Sequence, residues 1–133
     1  MHKLQIKTNS RQHFVDITQS LNSLIAQSGV SSGLCYLFCP HTTAAVTLNE
    51  NWDPDVQHDM ALALDSIAPQ RSNFQHAEGN SPAHVKTSLM SSDHTLFIEG
   101  GRLLLGRWQG VYLAEFDGPR NRILYVKITG AQK

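Results

Sequence analysis

His76 and His84 stand eight residues apart, joined by Ala77-Glu78-Gly79-Asn80-Ser81-Pro82-Ala83, and a chain that turns back at Gly79 would bring both imidazoles to one ion. They are not an i, i+4 pair on one helix, so their convergence depends on that turn. Ser81-Pro82 reads as a helix start, and His84 in its first turn meets the positive end of the helix dipole, which favours neutral imidazole, the form that binds metal. The same helix start suits an anion. Its first N–H groups lack helical partners, and Asn80, Ser81 and Lys86 add donors where a phosphate could sit. A second concentration runs from His41 to Asp55, where an apolar strand is closed at both ends by groups able to hold a metal or a phosphate. It offers the His41 imidazole, the amides of Asn49 and Asn51, and the carboxylates of Glu50, Asp53 and Asp55. A cation bridging carboxylates and a diphosphate is the usual magnesium arrangement, with Glu50, Asp53, Asp55 and Glu78 as candidate ligands. Asp53 before Pro54 also reads as a helix cap, and Asp55 as favourable first-turn charge.

A third group lies on a strand expected from Trp108 to Phe116, where alternation puts Gln109, Val111, Leu113 and Glu115 on one face and Trp108, Tyr112 and Phe116 on the other. A carboxylate on an apolar face needs a partner. Arg120 or Arg122 across the following turn would give a salt bridge that pins a hairpin. The alternative is that Glu115 and Gln109 line a pocket reached by the histidines. Other catalytic devices are missing or poor: Ser88, Ser91 and Ser92 lie outside a nucleophile-elbow pattern, no Walker-type glycine loop exists, and neither cysteine has a base beside it in sequence. A serine hydrolase or a nucleoside triphosphatase is therefore disfavoured. His2, His13, His58 and His94 fall on expected edges or exposed helix faces and read as solvated.

The elements that must position these groups alternate between strand and helix. Leu4 to Lys7 and His13 to Ile17 flank Asn9-Ser10-Arg11 and read as an opening hairpin or strand pair. Thr18 to Ser28 carries Leu21, Leu24 and Ile25 at helical spacing after Ile17, with Gly29 where a left-handed residue is needed. Leu34 to Cys39 is apolar on both faces, so it is expected to be covered twice, by the core and by another layer or subunit, with Val46 to Asn49 as its neighbour. After Pro54, Val56, Met60, Ala63, Leu64 and Ile67 mark one helical face, and Ser81-Pro82 begins a shorter helix carrying His84, Val85 and Leu89. Thr95 to Glu99, Trp108 to Phe116 and Arg122 to Thr129 read as strands separated by Gly100-Gly101 and Asp117-Gly118-Pro119-Arg120. The last two are expected to form a hairpin. The whole is one α+β domain, residues 1–133, of antiparallel sheet with a few short helices.

A chain of 133 residues is long enough to bury roughly two-thirds of its unfolded surface without disulfide or metal staples. Eleven basic and eleven acidic side chains cancel, so no net field recruits nucleic acid or an anionic membrane. No segment approaches the roughly 20 apolar residues of a membrane span, and the start has no apolar run of signal-peptide length, so a cytoplasmic location is the expectation. Cys35 and Cys39, four apart on a strand, would be about 13 Å from each other, beyond the roughly 7 Å limit for a disulfide. They read as buried thiols.

Five linked motifs, taken together, resemble one family. They are His41-Thr42-Thr43-Ala44-Ala45, then Asn49-Glu50-Asn51 with Asp53-Pro54-Asp55, then His76 through Glu78-Gly79-Asn80-Ser81-Pro82-Ala83-His84, then Gly106-Arg107-Trp108-Gln109, and Glu115-Phe116-Asp117-Gly118-Pro119-Arg120. In this order they are similar to the YjbQ-like proteins, described as secondary thiamine-phosphate synthases. One departure is Arg107, where the family usually has threonine. The resemblance implies an α+β fold, a homotrimer, and a polar pocket near subunit boundaries containing His41, Asn49, Glu50, Asn51, Asp53, His76, Asn80, His84, Gln109 and Glu115. It implies the joining of hydroxymethylpyrimidine diphosphate to a thiazole phosphate, with release of pyrophosphate. The expected roles are catalysis by Glu50, His84, Gln109 and Glu115, and phosphate or substrate binding by Asn49, Asn51, Asp53, Asn80, Ser81, Lys86 and Arg120. A divalent ion, zinc or magnesium, is expected on His41, His76 and His84. Two other readings remain open: metal-assisted hydrolysis, and a trimeric module that binds a metal or small phosphorylated metabolite without chemistry.

Overall fold

The computed structural model describes residues 1–131, and among them the chain forms eight strands and three helices. In order these are β1 (His2–Lys7), β2 (His13–Asp16), α1 (Thr18–Ser28), β3 (Gly33–Phe38), β4 (Ala44–Glu50), α2 (Pro54–Ile67), α3 (Ser81–Leu89), β5 (Asp93–Glu99), β6 (Arg102–Leu103), β7 (Gln109–Glu115) and β8 (Asn121–Gly130). The strands build two sheets, ordered β1-β8-β3-β5-β6 and β2-β7-β4. Every pairing is antiparallel, so the α+β expectation holds.

Helix ends follow their local chemistry. The Asp53 carboxylate accepts from the Asp55 N–H at 2.9 Å with Pro54 at the first helical position of α2, and Gly29 closes α1 in the left-handed region at φ 73°. Strand partners follow a different rule. The opening hairpin does not form, because β1 pairs with β8 in the large sheet and β2 with β7 in the small one. Nor does β4 lie beside β3: β3 is held between β5 and β8, and β4 pairs with β7. The expected β7–β8 hairpin is likewise a crossing between sheets, whose turn docks on the first crossing: the Gly118 N–H bonds to Arg11 O at 3.0 Å and the Thr8 N–H to Arg120 O at 2.9 Å.

The main core lies between the sheets. Ile6, Cys35, Leu37, Ile98, Leu124 and Val126 from the large sheet meet Val46, Val111 and Leu113 from the small one, with Leu21 and Ile25 of α1 closing the edge. On the other face of the small sheet, Ala45, Ala114 and Phe116 pack with Ala83 of α3 and Leu64 of α2. The helix α2 buries none of its residues fully. Its inner side carries Val56, Met60 and Leu64 as expected but turns toward Gln57 and Ala61, which bond to Tyr112 and Gln12, so Ala63 and Ile67 face outward. The second cover expected for β3 is absent within the described chain: Tyr36 is 40% and Phe38 49% exposed.

Candidate functional site

Three crossings between the sheets, β1 to β2, β3 to β4 and β7 to β8, converge at one end of the sandwich, and that end is tied by a buried ion pair. Glu115 closes β7 and Arg122 opens β8, so their contact joins the two layers. Arg122 donates Nε to Glu115 Oε1 at 2.8 Å and Nη2 to Oε2 at 2.5 Å, and reaches Thr43 Oγ1 at 2.8 Å. The Thr8 hydroxyl and the Asp117 N–H complete the carboxylate at 2.7 and 3.1 Å. Burial alone would raise the Glu115 pKa. The bonds from Arg122, Thr8 and Asp117, with the Arg122 charge, outweigh it and hold the carboxyl below its usual range. Glu115 is 0% exposed and fully engaged, so it belongs to the frame and not to the catalytic set expected for it.

Over this clip opens a cleft of about 370 Å³, lined by His41, His76, Glu78, Asn80, His84, Asp117 and Arg120 among others. His41 lies on the β3 to β4 crossing. The β3–β8 pairing ends at Phe38 and Tyr125, so the Ile123 N–H has no β3 partner, and His41 Nε2 accepts it at 3.0 Å. Burial and the nearby Arg122 lower the His41 pKa; a neutral ring accepting at Nε2 carries its proton on Nδ1. His76 comes from the loop before α3. Gly79 provides the reversal at φ 73°, its N–H bonding to His76 O at 3.2 Å, and the His76 and His84 rings meet edge to face with centroids 5.3 Å apart.

Asn80 precedes α3, and its side chain does not cap the helix. Its Nδ2 donates to Asp117 Oδ2 at 2.8 Å, which fixes the amide orientation and leaves Oδ1 buried without a partner. The unpartnered atom is thus an acceptor, and one of the two N–H bonds of Asn80 is already spent on Asp117. Arg120 donates Nε to Asp117 O at 2.7 Å and Nη2 to its carboxylate at 2.9 Å. Burial raises the Asp117 pKa, but the bonds from Asn80 and Arg120 prevail and keep it low. Ser81 opens α3, and Lys86 lies underneath. Lys86 is 1% exposed, with Nζ on Asp65 Oδ1 at 2.5 Å and Gln12 Oε1 at 2.7 Å, so it clamps α2, α3 and the β1 to β2 crossing and does not reach a ligand in this cleft.

The other expected residues lie at the opposite end of β4 and β7. Ala44 pairs with Glu115 at the cleft end and Glu50 with Gln109 at the far end, a separation of about 20 Å along the strands. There Asn49 Oδ1 accepts from the Glu50 N–H, Glu50 Oε2 from the Asp53 N–H, and Asn51 Nδ2 donates to Asp16. Asp53 caps α2, and Gln109 Oε1 accepts from the Gly106 N–H. Within one chain, Glu50, Asn49, Asn51, Asp53 and Gln109 therefore do not join the histidines.

This separation bears on the expected metal. The carboxylates proposed for magnesium sit apart from the cleft, except Glu78, and His41 Nε2 is taken by a backbone N–H. A catalytic zinc takes three protein ligands, and among the described residues no three His, Cys, Asp or Glu side chains are gathered for one. The residues as placed do not fit the ion. Sequence reading missed Asp117 and Arg122 as cleft residues; the run Glu115-Phe116-Asp117 held the signal. Both cysteines are buried and free, with burial pushing the Cys35 thiol up to about 11, so neither is a ready nucleophile.

A two-layer antiparallel α+β domain with a histidine cleft at the crossover end describes the class. The chain belongs to the YjbQ family: the model for "UPF0047 protein YjbQ-like" matches residues 2–131. It is 51% identical over 130 residues to UPF0047 protein MJ1081 of Methanocaldococcus jannaschii, covering 98% of this chain and 94% of that one. It is 45% identical to UPF0047 protein YugU of Bacillus subtilis, covering 96% and 97%. A solved structure of a YjbQ/UPF0047 family protein from Clostridium acetobutylicum is similar at TM-score 0.93 and 48% identity, over 97% of this chain and all of that one. These names give a family and not a reaction. Among the described residues, no helix is long and apolar enough to cross a membrane.

Proposed function

We propose that the histidine cleft binds a small phosphorylated metabolite, and that the protein is a slow transferase joining hydroxymethylpyrimidine diphosphate to a thiazole phosphate to form thiamine phosphate. The observation that carries this reading is the meeting of His76 and His84, their ring centroids 5.3 Å apart, in one cleft with Arg120, which is linked to the start of α3 through Asp117 and Asn80. In such a transfer the thiazole nitrogen bonds to the pyrimidine methylene carbon as its C–O bond to the diphosphate breaks, and the electron pair leaves with pyrophosphate. The protein must hold the two partners and stabilise the departing charge. The imidazoles and the outer edge of Arg120 suit the diphosphate, while the start of α3 adds little, since the Ala83 and His84 N–H groups already bond to Asn80 O at 3.0 and 3.4 Å and Pro82 has none. Glu78 and Asp117 suit amino or hydroxyl groups of the substrate.

Charge balance supports a slow reaction. Arg120 is paired with Asp117 and Arg122 with Glu115, which leaves little free positive charge for the diphosphate. The same balance favours a second reading, a binding protein without turnover. Incubating purified protein with both substrates and measuring thiamine phosphate and pyrophosphate separates the two. The transferase reading expects product above background and about a tenfold or greater loss in His84→Ala, the usual scale for a positioned acid or base. Equal rates in the two proteins, or no product, contradict it; pyrophosphate binding without product leaves the binding protein.

A further inference from the structure

The far end of β4 and β7 opens on a second concavity of about 700 Å³, larger than the histidine cleft. Hydrogen bonding sorts its polar walls. Asn22 Oδ1 accepts from the Leu103 N–H and Gln109 Oε1 from the Gly106 N–H, both at 2.8 Å. The backbone thus holds the acceptor end of each amide, and each NH2 is left free. Asp16, the carboxylate lining this groove, is already engaged: Oδ1 accepts from the Thr18 N–H at 2.9 Å and hydroxyl at 2.7 Å, and Oδ2 from Asn51 Nδ2 at 3.2 Å. Arg102 and Arg107 line the same groove and form no ion pair among the described residues. Free donors and uncompensated positive charge therefore face a groove whose acid is already satisfied, which is the inverse of a cation site.

We propose that this groove is a second ligand site, for a small molecule carrying an oxyanion, phosphate or carboxylate. Arg102 and Arg107 supply the charge, and the NH2 groups of Asn22 and Gln109 supply directional bonds. Guanidinium groups pair with either anion through two parallel N–H bonds. This site goes beyond the proposed transfer and stands about 20 Å along the sheet from the cleft that performs it.

The groove carries its own reporter. The Arg107 guanidinium lies 4.7 Å from the centre of the Trp108 ring, and Trp52 meets Trp108 edge-on at 5.7 Å. The chain has two tryptophans, so all of its indole emission comes from this end. An anion that draws Arg107 toward the groove changes that emission. The test titrates the full chain with inorganic phosphate and, separately, with citrate, following tryptophan emission and calorimetric heat. A saturable change in tryptophan emission with either anion is expected, weakened about tenfold by Arg102→Gln, further by the Arg102→Gln, Arg107→Gln pair, and present with the same midpoint in His84→Ala, whose altered cleft holds no tryptophan and affects the calorimetric heat alone. A response to phosphate alone assigns a phosphate ester, and one to citrate alone a carboxylate. Both arginines are exposed, so the variants should keep the wild-type unfolding midpoint; where Arg107→Gln itself alters emission, the calorimetric constant is the readout. No saturable response to either anion, wild-type affinity in the double variant, or loss of the emission response in His84→Ala overturns the proposal.

Discussion

Glu115 and Arg122 illustrate why residue type alone misassigned a role. An acid on an apolar strand beside a motif of histidines looks catalytic, yet its oxygens accept from Arg122, Thr8 and the Asp117 N–H, and none faces solvent. Removing one partner of a buried pair leaves the other charge uncompensated, so Glu115→Gln is expected to cost about 3 kcal/mol or more in urea unfolding at pH 7. The pH dependence has a fixed sign. The folded pKa of Glu115 is depressed, so its contribution is present above the ordinary value of 4.5 and is lost as pH falls through the folded value. Below pH 4.5 the stability gap between wild type and Glu115→Gln should narrow; a gap that widens on acidification contradicts the pairing. The sequence did flag Arg122 as one of two partners for Glu115. What it could not show was that the bond joins two sheets instead of pinning a hairpin.

Helices were legible because their signals are local. Asp53-Pro54, Ser81-Pro82 and Gly29 each act within a few residues, and α1, α2 and α3 begin or end where they stand. Strand partners were not, because alternation defines a strand's two faces and says nothing of its neighbour. The segments at 8–12 and 117–120 carry ordinary turn chemistry but pass between layers, docking on each other through the Thr8 and Gly118 N–H groups. The same limit split the expected site. His41 and Glu50 are close in sequence, but β4 extends between them and carries Glu50 to the far end. Asp53 is correspondingly a cap: Asp53→Ala should lower stability by about 1 kcal/mol in thermal unfolding and leave pyrophosphate affinity unchanged in calorimetry. A loss of affinity with unaltered stability would return Asp53 to the ligand site.

The molecule as a whole presents one worked face and one bare face. The three crossings gather polar groups at the cleft, while the outer side of the large sheet leaves Tyr36, Phe38 and Phe97 at 40, 49 and 64% exposure. We propose that this face is covered by self-association, the assembly that the family resemblance implies being a homotrimer. Native mass spectrometry should give three times the single-chain mass, and Phe38→Glu with Phe97→Glu should reduce it; a wild-type monomer contradicts the trimer. The seven histidines of the chain provide the most direct test of the cleft. In a titration with pyrophosphate followed by NMR of the histidine rings, signals of His41, His76 and His84 should move together and saturate, while His2, His13, His58 and His94 stay in place. Signals that stay fixed at all seven positions, or that move only at those four, would contradict it.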